Sequence, residues 1–188
     1  MINSFWSRRS FFKVSLAGVL ALAAKGPVFA KTLAIPEMPE EMPEGKLSLY
    51  NTHNHERLTV AYRNAAGDYD SEALKAINWI LRCHYTNQET AMDIRALEFL
   101  NIVDKKLGGK NEIHIISGYR SPLYNRLLRK EGHGVARHSL HQVGKAIDIQ
   151  IPGTGLERIR QVALNLKCGG VGYYPGFVHL DSGEFRTW

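Results

Sequence analysis

Asp148 constrains this chain more than any other residue, because it interrupts a strand-like run of apolar residues from Lys145 to Ile151. Burying a carboxylate in such a strand costs several kcal/mol unless it is paired or bound to a metal. The run therefore calls for a cation beside it. His141 lies upstream in Ser139-Leu140-His141-Gln142-Val143-Gly144, near enough to share that cation. A third candidate, His179, sits in a second strand-like segment, Phe177-Val178-His179-Leu180-Asp181. Two histidines, a carboxylate and one open position make a catalytic zinc arrangement. The long separation between Asp148 and His179 requires ligands from different strands, which suits a catalytic centre better than a small structural zinc knot.

Each part of this pattern is weak alone, since a histidine in a strand is more often a hydrogen-bonded core residue. The whole is specific: S-x-H-x-x-G-x-A-x-D over 139–148, then F-V-H-x-D over 177–181, with Ser117-Gly118-Tyr119-Arg120-Ser121 upstream and Gly169-Gly170-Val171-Gly172-Tyr173-Tyr174-Pro175 between. These residues resemble the zinc peptidases that share a fold with D-alanyl-D-alanine peptidases and the hedgehog signalling domain, and among them the periplasmic murein endopeptidases. The resemblance runs from the leader to Trp188. It implies an α+β fold, a small antiparallel β-sheet with flanking helices. It also implies Zn2+ on His141, Asp148 and His179, and hydrolysis of an amide in the peptide cross-links of peptidoglycan, at the bond between two diaminopimelate residues. Arg120 would project from a strand end toward the metal, to hold a substrate carboxylate or to stabilise a developing oxyanion.

The general base is where the chain departs from better-known members. They often carry an acid three residues before the last zinc histidine, or a histidine two before it; here those positions are Gly176 and Phe177. Asp181 is the substitute. Residues two apart on a strand share a face, so Asp181 is either a base next to His179 or a carboxylate that orients it. Two rival classes stay open: a zinc D,D-carboxypeptidase or endopeptidase, and a zinc-containing cell-wall binding module without activity.

Compartment follows from the first 30 residues. Arg8 and Arg9 precede a modest apolar run, Val14 to Ala24, and Val28-Phe29-Ala30 offers a signal-peptidase site. This reads as a twin-arginine leader, cleaved after Ala30, that delivers the chain to the periplasm. The leader carries four cations and no acid, so its removal lowers the formal net charge from +6 to +2. That removes the electrostatic case for nucleic acid as a partner. No later stretch approaches the ~20 apolar residues of a spanning helix. Residues 31–45, with Pro36, Pro39 and Pro43, read as a tether, and 46–188 as one monomeric peptidase domain.

Within that domain, strands are expected over 46–51, 56–62 and 113–116, and helices after Asp70 or Ser71, after the break at 86–90, after Ser121-Pro122, and over 156–166. Trp79 and Phe99 are read as core. His53 and His55 are read as exposed turn residues, and His133 and His138 as outside the ligand set. Cys83 and Cys168 are read as small buried residues, although an oxidising compartment permits a disulfide. Tyr173 and Phe177 are expected to offer stacking contacts beside the site.

Overall fold

The computed structural model describes residues 44–188, so the leader and nearly all of the tether lie outside the described residues. In chain order the elements are β1 (Gly45–Asn51), β2 (Arg57–Arg63), α1 (Ser71–Ile80), α2 (Ile94–Lys106), β3 (Glu112–Ser117), α3 (Pro122–Lys130), a single 3-10 turn at Leu140–Val143, β4 (Ala146–Gln150), α4 (Leu156–Leu166), β5 (Gly170–Tyr174), β6 (Phe177–Asp181) and β7 (Arg186–Thr187). The class is α+β. The seven strands form one sheet in the order β2-β1-β3-β4-β6-β5-β7. It is mixed rather than purely antiparallel: β1 pairs with β3, and β5 with β7, in parallel.

Alternation along the strands sets the two faces. Leu47 and Leu49 of β1, Ile113 and Ile115 of β3, Ile147 and Ile149 of β4, Val178 and Leu180 of β6 and Val171 of β5 are buried together with Ile77 of α1, Leu97, Leu100 and Val103 of α2, and Ile159 and Ala163 of α4. Each of the Val, Leu and Ile side chains among them contributes about 1.5–3 kcal/mol by leaving water. Three helices thus cover one face, and the opposite face carries the alternate positions, Asp148 and His179 among them.

The caps explain the helix starts. Asp70 accepts from the Glu72 and Ala73 amides, Asp93 from Arg95, and Ser121 from Tyr124, with Pro122 at the first helical position. Trp79 departs from expectation. Its neighbours Ile77 and Ile80 take the core-facing stripe of α1, leaving Trp79 47% exposed with the Arg82 guanidinium 4.1 Å over its ring. Phe99 is in the core as expected. Cys83 and Cys168 are both free thiols, the first buried and the second half-buried. No helix among the described residues is long and apolar enough to cross a membrane.

Candidate metal centre

The register of the sheet brings the three candidate ligands together. Asp148 stands opposite His179 across the β4–β6 ladder, and Ser117 stands opposite Asp148 across β3–β4. The second pairing needs the irregularity between Ile115 and Ser117. Strict alternation would put Ser117 on the helix face with Ile115; one extra residue moves it to the face of Asp148. His141 arrives from the 3-10 turn and is 2% exposed. The segment after β3 grips it twice: its Nδ1 donates to the Gly118 carbonyl at 2.7 Å, and its own carbonyl accepts from the Arg120 amide at 3.1 Å. Gly118 must be glycine for this, because a Cβ there would collide with the Leu81 carbonyl.

Three atoms converge. His141 Nε2 lies 3.2 Å from Asp148 Oδ1 and 3.2 Å from His179 Nδ1, which lies 2.7 Å from the same carboxylate oxygen. The outer ring nitrogens are occupied: His141 Nδ1 by Gly118, and His179 Nε2 by the Asp181 carboxylate at 3.1 Å. With each outer nitrogen donating, both inner nitrogens of the neutral rings present lone pairs toward a carboxylate oxygen. Three electron pairs aimed at one point want a cation, and the two nitrogens and one oxygen are donors that zinc accepts. The residues fit the metal. Among the described residues this is the one group of three or more metal-ligating side chains.

The carboxylate and the two rings also act on one another electrostatically. Burial works against ionisation of Asp148, but the charge and hydrogen bonds of His141 and His179 outweigh it and hold the carboxyl well below the usual carboxylate range. Burial likewise lowers His179, and its bonds to Asp148 and Asp181 overcome this and raise it.

Asp181 is fully buried and saturated. Its Oδ1 accepts from the Gly183 amide at 2.8 Å, the Gly170 amide at 3.3 Å and Arg186 Nη1 at 3.0 Å; its Oδ2 accepts from Arg186 Nη2 at 2.6 Å and from His179. Burial would raise its pKa, but His179, Arg186 and the Gly183 amide bring it down to about 2. The imidazole of His179 stands between this carboxylate and the point where the ligands converge.

Arg120 reaches the centre from the β3 side. It is 7% exposed and weakly held: Nη2 lies 3.4 Å from both Ser117 Oγ and Asp148 Oδ2, and Nε is buried with no hydrogen-bond partner among the described residues. Phe177 stacks on Tyr174, rings 4.6 Å apart, on the face of His179. Tyr173 does not join them. It pairs with Val178 on the helix face, where the Arg160 guanidinium lies 5.6 Å over its ring. His133 and His138 are exposed and outside the centre, His133 with Glu131 at 3.3 Å.

Sequence reasoning missed Arg186, Trp188 and His84. Arg186 and Trp188 belong to a two-residue strand and its end, too short to show a period. The Trp188 indole packs where a Cβ on Gly172 would lie 2.7–2.8 Å from it, and its ring is 5.3 Å from that of His179. The available signal was the run of glycines in β5, which admits close neighbours.

An α+β domain whose antiparallel strands carry a buried His-Asp-His centre on the open face of the sheet, with an arginine at its edge, belongs to the class of metal-centred hydrolases. A family model described as peptidoglycan L,D-endopeptidase MepK matches residues 41–188. The chain is 39% identical over 145 residues to a probable peptidoglycan L,D-endopeptidase MepK of Haemophilus influenzae, covering 76% of this chain and 77% of that one. It is 38% identical over 144 residues to peptidoglycan L,D-endopeptidase MepK of Escherichia coli K12 and of Shigella flexneri, covering 76% of this chain and 79% of each relative. The chain belongs to the peptidoglycan L,D-endopeptidase MepK family.

Proposed function

We propose that this protein is a zinc-dependent peptidoglycan hydrolase that opens peptide cross-links at the bond between two diaminopimelate residues. The observation that carries the reading is the convergence of His141 Nε2, Asp148 Oδ1 and His179 Nδ1 in a chain of this family. These three residues would hold the metal. When bound there, zinc supplies Lewis acidity toward the scissile carbonyl and toward water.

The remaining work falls to side chains around the ligands. The bond from His141 to Gly118 and that from His179 to Asp181 fix which ring nitrogen faces the metal. Arg120, buried and poorly neutralised, offers donors to negative charge on the substrate, worth most where water is excluded. Asp181 is the positioning carboxylate of His179. That is the second of the two roles its place on the strand allows, and the reading rests on its saturation and on the side of the ring it occupies.

Peptidoglycan lies outside the cytoplasmic membrane, so the protein works in the periplasm, delivered there by residues 1–30 as a twin-arginine leader. Replacing Arg8 and Arg9 by lysine and fractionating cells should abolish periplasmic accumulation; unchanged accumulation would point to another route. The activity is tested by digesting purified cross-linked muropeptides and identifying the products by mass. Release of two stems cut between the diaminopimelates is expected. Loss of a terminal D-alanine alone would mark a carboxypeptidase, and binding without product a cell-wall binding module.

A further inference from the structure

The metal centre belongs to a longer row that crosses the sheet at one level. Ser117, Asp148, His179 and Gly172 are successive cross-strand partners from β3 to β5. At one end the row continues to Trp188, which follows β7 and packs on Gly172. At the other it reaches the β1–β2 turn. Thr52 Oγ1 donates to the Ile115 carbonyl at 2.9 Å and His53 Nε2 to the Ile116 carbonyl at 3.0 Å, folding the turn onto the end of β3. From β1 to β7 the row spans five inter-strand spacings, ~24 Å.

The β1–β3 end has walls of its own, drawn from three separate segments. His53 of the turn stacks on His84, from the connection between α1 and α2, with centroids 3.6 Å apart and planes 14° from parallel. His84 and Tyr124 of α3 meet edge to face with centroids 4.8 Å apart, and Tyr124 stacks on Tyr85 at 5.0 Å. The connection is anchored beside the site, because the Tyr119 amide donates to the Leu81 carbonyl at 2.7 Å and the Cys83 thiol to Ser121 Oγ at 3.5 Å. Arg120 links cluster to metal centre: its guanidinium touches Asp148, and its charge acts on both His84 and Tyr124. Burial, then His53 and Arg120, lower His84 to about 4, so its imidazole is neutral near pH 7 and offers one donor and one acceptor. None of the bonds within the metal centre requires this cluster.

We propose that the substrate groove runs across the strands, and that His53, His84 and Tyr124, with Arg120 as its cation, form a subsite for a carboxylate-bearing stem of the branched peptide, on the β1–β3 side of the metal. The inference rests on the hydrolase reading above. Three features select the ligand chemistry. Arg120 is more than nine-tenths buried, has an unpartnered Nε and contacts its nearest carboxylate only at 3.4 Å, so it has capacity for a further anion. The neutral imidazole and the phenol add hydrogen bonds without a second charge, and flat ring faces suit the planes of peptide groups. Arg120 is the metal-proximal end of the subsite, 3.4 Å from Asp148, and the β1–β2 turn that carries its far wall lies two spacings from Asp148, ~10 Å, the reach of about three extended residues. A ring in that far wall binds ground state and transition state alike, so the His84 and Tyr124 variants move KM and leave kcat.

The test uses the full chain, a purified cross-linked muropeptide and the same peptide with its carboxylates amidated. His84→Phe keeps the ring stack and removes both nitrogens; Tyr124→Phe removes only the hydroxyl and decides the matter if the first variant fails to fold. Each is expected to raise KM about tenfold, the scale of one hydrogen bond to a charged group, with kcat within twofold. Calorimetric Kd for metal-depleted protein should rise by the same factor. The amidated peptide should bind the parent correspondingly more weakly and be indifferent to His84→Phe. Unchanged KM and Kd in a parent that cleaves would overturn the subsite alone, as would a fall in kcat at constant KM. A parent that neither cleaves nor binds the muropeptide would overturn the hydrolase reading and the subsite with it.

Discussion

Asp181→Asn separates the two roles that a carboxylate two residues beyond His179 can have. The replacement keeps the shape and swaps one acceptor oxygen for a donor. Its carbonyl can take over the Oδ1 position, serving the Gly183 amide and Arg186 Nη1. Its amide then faces Arg186 Nη2 and His179 Nε2, both donors, where Oδ2 now accepts at 2.6 and 3.1 Å. Arg186 is 44% exposed and can rehydrate, which limits the loss of apoprotein stability to about 1–3 kcal/mol. His179 has no such exit: it keeps a bond at Nε2 only if the proton moves to Nδ1, which removes the lone pair aimed at the metal. Loss of such an outer partner weakens metal binding about 10- to 100-fold, or ~1.4–2.7 kcal/mol. Competition against a chelator of known affinity measures this directly, with denaturant unfolding of the metal-depleted protein alongside. If the variant holds zinc within twofold of the parent while turnover falls about 10²- to 10⁴-fold, Asp181 moves a proton in the reaction and the supporting role is wrong.

Three further outcomes are expected. His141→Ala should purify without stoichiometric zinc by metal analysis, and full occupancy would defeat the ligand assignment. Gly118→Ala, whose Cβ would meet the Leu81 carbonyl, should cost about 1–3 kcal/mol and also weaken zinc binding, because the Gly118 carbonyl orients His141; an unchanged unfolding midpoint would refute the close approach. His84 is lowered from 6.5 to about 4, so below pH 6.5 the unfolded chain takes up a proton before the folded one does, and its contribution to stability falls as pH drops toward 4. His84→Phe should remove that part of the slope between pH 6.5 and 4 in unfolding titrations, and identical slopes would refute it.

Periodicity and capping made most of the fold legible. The residues of α4 and β6 follow from their patterns, and Asp70, Ser121 and Pro122 mark helix starts because orphan amides need acceptors. Strand pairing was not legible. The parallel β1–β3 pairing joins segments separated by two helices, and no local signal in either strand records its partner. Trp79 shows a related limit. Helical spacing identifies a stripe, and a large apolar residue beside the stripe is easily counted in it, although an adjacent arginine covers it equally well.

The ligands and their support differ in legibility for a physical reason. Asp148 and His141 announce themselves because a buried carboxylate needs a cation and the family pattern supplies one. Asp181 stayed ambiguous because strand alternation tells which face a side chain occupies, not which side of a neighbouring ring it meets. What favours the positioning role is Arg186, which reaches back from the other side of a tight turn and lies in a strand of two residues. That strand pairs with β5, and the pairing holds a cation on Asp181 and an indole beside His179. Both support the candidate ligand farthest along the chain, His179, one through Asp181 and the other by ring contact.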